Sequence, residues 1–398
     1  MAAQASAVEV ARKRLLEIEK RLNSIIIGHE SMVRALLLAS VAGEHAVIIG
    51  PPGTAKSYLV RSLSRLVSAE FYSYLLTRFT SYDELFGAVD IVELSKGTFK
   101  RNWSRITSAD FVFLDEIFKA NSAILNALLS LLQERIVYDP VSGQAVPARL
   151  HTAVGASNEA PEDPELEALY DRFAVRVFVN YLDEDALLLR ALEARWAGNG
   201  AQSLAPVASM DDVKALHSYA ASLLNAKIKG LDGKTYAIFH ANAIPLIKQL
   251  RKEGVLVSDR TVVEKLPKLF SAYLALYGVT MENVMNGVFD VAVYCARTAE
   301  QLTAIRKVIH EALGEVAELA AKLEEAKKLI TAMNLQKAKE KLIEVINADI
   351  AKLAQKAPWL RPRAEAVVLT ARQLLQGIER MEQELVKLAG TTAEGEVQ

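Results

Sequence analysis

Residues 50–60 read GPPGTAKSYLV, one letter away from the phosphate-binding pattern G-x-x-x-x-G-K-[ST]. Gly50 opens the loop and Lys56-Ser57 close it, but Ala55 stands where the second glycine belongs. The apolar run HAVIIG (45–50) leads into the loop, and the helical pattern KSYLVRSLSRLV leads out of it. That strand–loop–helix context turns the letters into a nucleotide-site reading rather than a helix-capping turn. Backbone N–H groups at a helix N-terminus point toward phosphates, and the helix dipole favours negative charge there. Gly50, Pro51, Pro52, Gly53, Thr54, Ala55, Lys56, Ser57 and Tyr58 therefore form the candidate nucleotide-binding loop. Lys56 is expected to reach the β- and γ-phosphates, and the Ser57 hydroxyl to hold Mg2+. Ala55, beside the helix start, is expected at negative φ, where a methyl group pointing away costs little.

Downstream lies FVFLDE, residues 111–116. Four apolar residues followed by Asp-Glu describe a buried strand that ends in two carboxylates. Asp115 would hold the metal through water, and Glu116 would activate the attacking water. Alone, such a run fits a solvated acidic turn equally well; beyond a phosphate loop, the two motifs support each other. FYSYLL (71–76), HTAVGAS (151–157) and VRVFVN (175–180) are further strands, with helical stretches such as NSAILNALLSLLQER (121–135) between them. Several of these strands are apolar on both faces, as in a buried parallel sheet. The alternation predicts an open α/β sheet with helices on both faces. Two stretches interrupt it. Residues 78–105 read as a short helix plus two strands around Lys96-Gly97, and 136–149 as a hairpin turning at Asp-Pro-Val-Ser-Gly.

Beyond residue 182 helical periodicity takes over. VSDRTVVEKLPKLFSAYLALYG (257–278) reads as a helix with Ser258 as N-cap and a kink at Pro267. From about 301 the composition shifts to Ala, Leu, Lys, Glu and Gln. Ile309, Leu313, Val316, Ala320 and Leu323 keep heptad spacing, as do Val367, Ala371, Leu374, Ile378, Met381, Leu385 and Leu388. A middle helix carries Leu342, Ile346, Ile350 and Leu353, and Ala357-Pro358-Trp359 with Arg361-Pro362 break the chain before the last helix. The expected organisation is a core over 1–182, an all-helical lid over 183–300, and a helical hairpin or three-helix coil over 301–398 with a frayed tail.

The 398 residues carry a net charge of about −1, which gives no overall electrostatic pull on nucleic acid. One cysteine, Cys295, cannot form an internal disulfide, and the six histidines are scattered, without zinc-site spacing. The N-terminal stretch reads as a charged amphipathic helix rather than a secretion signal, and no apolar run is long enough to span a bilayer. A cytoplasmic protein without membrane insertion is the expectation.

The residues GPPGTAKS, LLTRFTSYDELFG, FLDEIFKANSAILNALLSLLQER, GASNE, ALYDRF and VSDR resemble an AAA+ ATPase of the MoxR family, in its RavA-like branch, over roughly residues 20–280. RavA-like proteins also carry alanine before the loop lysine, so the resemblance makes Ala55 a family habit. It implies an AAA+ P-loop core, an αβα parallel sheet with a helical lid, and ATP with Mg2+ as cofactors. Asn158 would be the polar first sensor, orienting the attacking water with Glu116. Arg172 would be the arginine finger that completes a neighbouring subunit's site, and Arg260 the second sensor. Ile26, Ile27 and Gly28 would pack around adenine. The two interruptions match insertions that face the pore of a ring. Phe99 and Trp103 in the first of them are candidate substrate-gripping aromatics. Each residue also has a structural reading: a strand-end turn for Asn158, an ion pair with Asp171 or a nearby acid for Arg172, a solvated first-turn cation for Arg260, and packing for Ile26, Ile27, Gly28, Phe99 and Trp103.

The resemblance implies a ring of identical subunits, a hexamer, that hydrolyses Mg-ATP to remodel a protein client, with a von Willebrand factor A domain protein as partner. A slow-hydrolysing switch that signals through the helical tail is the alternative. Glu116, Asn158 and Arg172 together argue against it. A nucleic-acid motor is a third reading, and the neutral charge weighs against that. The tail departs from RavA-like proteins in being helical throughout, so partner preferences tied to their β-rich module do not transfer.

Overall fold

The structure, a computed structural model, describes residues 2–196, 204–229, 235–331, 333–350, 352 and 361–393. The Ala357-Pro358-Trp359 break, Leu353 and the last five residues of the tail lie outside the described residues. Two compact units emerge: residues 1–227 with 256–302, and residues 228–255 with 303–398. This partition differs from the three consecutive domains expected.

The first unit is built on five parallel strands: β1 (Ala46–Ile49), β2 (Phe71–Leu75), β3 (Phe111–Asp115), then β6 (Thr152–Ser157) and β7 (Val175–Phe178), in the order β2-β3-β6-β1-β7. All five expected core strands are in it. A hairpin of β4 (Ile136–Tyr138) and β5 (Ala145–Pro147) pairs antiparallel outside the sheet. β1 and β6 are buried along their whole length, so side chains pointing to both faces are out of water. On one face Val47, Ile49, Val112, Leu114 and Ala153 share a core with Ile124, Leu128, Leu131 and Leu132 of the helix Ser122–Glu134. Ala46, Ile48, Phe111 and Phe113 alternate with these and are equally buried, so both faces are covered.

Up to residue 227 the helices of this unit are α1 (Ala2–Ile25), α2 (Glu30–Ala42), α3 (Lys56–Leu66), α4 (Tyr82–Phe86), α5 (Ile91–Ser95), α6 (Ser122–Glu134), α7 (Pro164–Tyr170), α8 (Asp185–Trp196) and α9 (Met210–Leu223). The two strands expected around Lys96-Gly97 do not form. Asp90 accepts hydrogen bonds from the N–H groups of Val92 and Glu93 and starts α5, and a lone antiparallel bridge, Val89 with Arg101, is the sole pairing there among the described residues. Arg101 ties this insertion to the hairpin. Its guanidinium, almost wholly out of solvent, donates to Asp139 at 2.5 Å, to Asp83 and to the carbonyl of Gly87. Tyr82 adds a hydrogen bond to the Tyr138 carbonyl. Trp103 packs against the core cluster, and its ring lies 5.9 Å from the Arg101 guanidinium carbon.

Beyond α10 (Ile238–Lys252) comes the stretch opened by Ser258, whose Oγ accepts from the Thr261 N–H. One wider π-turn spans Thr261–Lys265 and runs into α11 (Leu266–Tyr277), with Pro267 in its first turn. Proline lacks the N–H that an α-turn would need there, and the wider turn absorbs the lost bond. Next come α12 (Met281–Ala292) and the buried Cys295. A short strand pair, β8 (Lys227–Lys229) with β9 (Thr235–Ala237), interrupts the stretch expected to be wholly helical.

In the second unit α13 (Ala299–Thr331), α14 (Leu335–Ile346) and α15 (Arg361–Ala393) share one core of Leu323, Ala326, Leu342, Val345, Val368, Ala371 and Ile378. Ion pairs Lys322–Glu344 and Lys341–Glu325 run α13 and α14 antiparallel. The three-helix alternative is the one formed, and Met381, 43% exposed, falls off the seam. Pro362 sits inside the first turn of α15 rather than in a break, a position where its missing N–H costs nothing.

Candidate functional site

The parallel strands deliver their C-terminal ends to one edge of the sheet, and four of the sequence candidates meet there. β1 ends at Ile49 and runs into the loop; β3 ends at Asp115; β6 ends at Ser157, one residue before Asn158. The Gly50 N–H donates to the Ser157 carbonyl at 3.0 Å, fastening the loop to β6. A side chain at Gly50 is excluded, since a Cβ there would lie 2.1 Å from the Val179 carbonyl oxygen. Lys56 is 8% exposed, and its ammonium donates to the carbonyls of Gly50 at 2.6 Å and Pro51 at 2.8 Å. Burial lowers its pKa, while Asp115 and Glu116 pull the other way. Ser57 is exposed in the first turn of α3, and Thr54 is buried with its hydroxyl on the Pro51 carbonyl at 3.0 Å.

Ala55 does not have the negative φ expected of it. It adopts φ 61°, ψ 19°, the left-handed conformation that a glycine occupies without strain. The loop must reverse into α3 there, and the reversal, not the residue type, sets the angle. Glu116 is left-handed as well, at φ 51°, ψ 44°. The Asn158 side-chain amide donates to Glu116 Oε1 at 3.1 Å, and Lys119 stands 3.4 Å from Oε2. Non-glycine residues in this region cost on the order of 1 kcal/mol and gather where a side chain must be aimed. Asp115 Oδ1 accepts from the Glu116 N–H at 3.1 Å.

The two arginines are elsewhere. Ala46 pairs with Val175 and Ile49 with Phe178, so Arg172 precedes the entry of β7 while the loop leaves the exit of β1. A four-residue strand spans about 13 Å at ~3.3 Å per residue, so the two lie toward opposite edges. Arg260 follows Arg172, not the loop: it stands 3.9 Å from Asp171 and 3.1 Å from Glu264. The Asp171 carboxylate also faces Lys265 at 3.3 Å and Arg176 at 3.5 Å, and Lys265 donates to the Asp171 carbonyl. Asp171 is thus occupied by three cations other than Arg172, whose Nε is buried without a hydrogen-bond partner. Burial, then the Arg176 charge, pushes the Lys265 pKa down to about 8. Sequence reasoning did not find Lys265 or Arg176: both lie in ordinary apolar stretches, and the contact with 171 closes over long sequence separation.

Ile26 and Ile27 are buried, and Gly28 has φ 77°. A Cβ on Gly28 would meet Leu182 Cδ2 at 2.4 Å and Leu187 Cδ1 at 3.5 Å, two neighbours with no sequence signal. Chemically, the exit edge offers helix N–H groups, a buried ammonium, and a hydroxyl–carboxylate pair of hard oxygen donors suited to Mg2+. Beside them stands a carboxylate held by an amide.

Comparison with known proteins adds to this geometry. A family described as the MoxR domain in the MoxR-vWA-beta-propeller ternary systems matches residues 13–218. An uncharacterized protein of Methanocaldococcus jannaschii is 36% identical over 250 residues, 62% of each chain. A second from that organism is 44% identical over 168 residues, 42% of this chain and 44% of its own. The chaperone MoxR1 of Mycobacterium tuberculosis is 26% identical over 181 residues, 44% of this chain and 46% of its own. The chain thus spans 62% or less of the length of these relatives. A crystal structure of a candidate ATPase from Cytophaga hutchinsonii superposes with a TM-score of 0.55 at 18% identity, covering 73% of this chain and 89% of that one. That likeness speaks for the fold.

Proposed function

The chain belongs to the MoxR family of AAA+ proteins, and on that premise we propose that it is a Mg-ATP hydrolase that works as a ring of identical subunits to remodel a protein client. One observation carries the reading: Asn158 holds the Glu116 carboxylate at 3.1 Å at the same sheet edge that the Lys56 loop leaves. The N–H groups of residues 53–57 and the Lys56 ammonium hold the β- and γ-phosphates. Ser57 and Asp115 would hold Mg2+, which when bound neutralises charge on the phosphate oxygens. Glu116 takes the proton of the attacking water, and Asn158 keeps its carboxylate aimed. Ile26, Ile27 and Gly28, with Leu182 behind them, flank the base.

Arg172 and Arg260 act on the site of the next subunit. Their distance from their own loop supports this. A hexamer is the expected ring. The family's description supports a von Willebrand factor A domain partner. Ala55 before the loop lysine supports the RavA-like branch, and the cytoplasm is the expected place of action.

The test is steady-state ATP hydrolysis per subunit across protein concentrations. The specific rate should rise with concentration, and it should fall to background in Lys56→Ala and Glu116→Gln. In Arg172→Ala it should drop by about 10³-fold or more, the lower range for an arginine finger. A rate independent of both concentration and Arg172 would remove the ring. A wild type that binds ATP but never exceeds Lys56→Ala would remove the hydrolase.

A further inference from the structure

Helix α8 is apolar on two sides. At 100° per residue, Leu187, Ala191 and Ala194 share one face, and all three are half-buried against their own chain. Leu188, Leu189, Leu192 and Trp196 fall within a second arc about 100° wide. These four are 44%, 57%, 58% and 77% exposed. No residue of the helix is fully buried. An amphipathic helix has one partner; a helix with two apolar stripes is made for two.

The position of α8 says what the second partner is. The helix starts beside the candidate nucleotide site, since Leu182 and Leu187 close on Gly28. Any copy of the chain that brings Arg172 and Arg260 to that site therefore arrives next to α8. It brings its own exposed apolar residues: Val263, one turn from Arg260 and 77% exposed, and Leu256, 70% exposed. Two different apolar patches on one unit, one on the helix that starts beside Gly28 and one on the segment that carries Arg260, describe a head-to-tail contact, which closes rings or propagates filaments.

We propose that the outer face of α8 seats a second copy of this chain, through that copy's Val263 and Leu256. The contact rests on the trans reading of Arg172 and Arg260, and it makes α8 the hydrophobic centre of the joint that the two arginines complete. It predicts which surfaces meet, which the ring alone does not.

Cross-linking tests it without requiring turnover. Leu192→Cys and Val263→Cys are placed on separately tagged full-length chains, mixed with a non-hydrolysed ATP analogue, and treated with a short bis-maleimide. The native Cys295 is buried, with its thiol pushed up to about 12, and stays out of the reaction. The expected product is a 192–263 link between the two tags, and a ladder of links when both cysteines sit on one chain. Links between two Leu192→Cys copies alone, or no 192–263 link while hydrolysis still rises with concentration, would overturn the contact. In Leu192→Asp the protein concentration giving half-maximal specific hydrolysis should rise by about tenfold or more. Affinity for a fluorescent ATP analogue, read on dilute protein, should stay within about twofold, because the helix does not touch phosphate. If Leu192→Asp left the concentration dependence of a working hydrolase in place, the contact would fail and the proposed function would survive. If the wild type never hydrolysed ATP, that function would fail, and the cross-link would still decide the contact.

Discussion

Replacing Ala55 by glycine distinguishes two backbone conformations by the sign of a stability change. At φ 61° an alanine Cβ presses on its own carbonyl, at a cost of about 1–2 kcal/mol. Glycine removes that cost but loses more chain entropy on folding, about 0.4–1 kcal/mol. The net is a gain of roughly 0–1.5 kcal/mol, centred near 0.7. Were Ala55 an ordinary first-turn residue at negative φ, the same change would lose about 0.5–1 kcal/mol. Equilibrium urea unfolding of the two chains side by side reads the difference, with an unchanged m-value as the check that the same surface is exposed. ATP affinity should be retained or improved, because the N–H groups keep their directions. Ala55→Val, β-branched at positive φ, should lose about 1 kcal/mol or more. A glycine variant less stable than wild type by half a kcal/mol would refute the left-handed loop and, with it, this account of the lysine's approach.

Gly50→Ala should destabilise by about 1–3 kcal/mol, since the methyl group meets the Val179 carbonyl and must push β7 away from β1; thermal unfolding and nucleotide affinity should fall together. Arg101→Met leaves the buried Asp139 without its cation and should cost about 3–5 kcal/mol. Adding Asp139→Asn to it should recover much of that loss, and urea midpoints of single and double variants check this. For Lys265, with a folded pKa near 8 against an ordinary value of 10.5, the burial cost is fully present below pH 8. Between about 8 and 10.5 the folded chain gives up the proton before the unfolded one does, so stability rises with pH by up to ~3 kcal/mol. That rise should vanish in Lys265→Met, and equal pH profiles for the two chains would disprove it.

The sheet could be read from sequence because buried parallel strands are uninterrupted apolar runs, and the carboxylates because they sit where such runs stop. Asn158 came from the family resemblance rather than from the strand pattern, and it stands one residue past the end of β6. The φ of Ala55 was not, because loop closure sets it and not the local letters. The insertion misled because Lys96-Gly97 reads as a turn between two strands, while Asp90, whose side chain caps a helix, decides the matter upstream. The cations around Asp171 meet across 94 residues in the case of Lys265, a separation at which no local pattern carries information. Residues 228–255 group with the C-terminal helices rather than with their sequence neighbours, again a tertiary choice that periodicity cannot express.

The clamp at Arg101 has a mechanical meaning. Hairpin strand β5 ends at Pro147 and β6 begins at Thr152, so little slack separates the clamped hairpin from the strand that carries Asn158. The exposed Ile91, Val92 and Leu94 of α5 ride on the other side of the same joint. A load applied to those side chains is borne by a buried guanidinium and two carboxylates rather than by a hinge. Insertion and hairpin are therefore joined into one piece at the end of the sheet, and what moves one must move the other through that buried guanidinium.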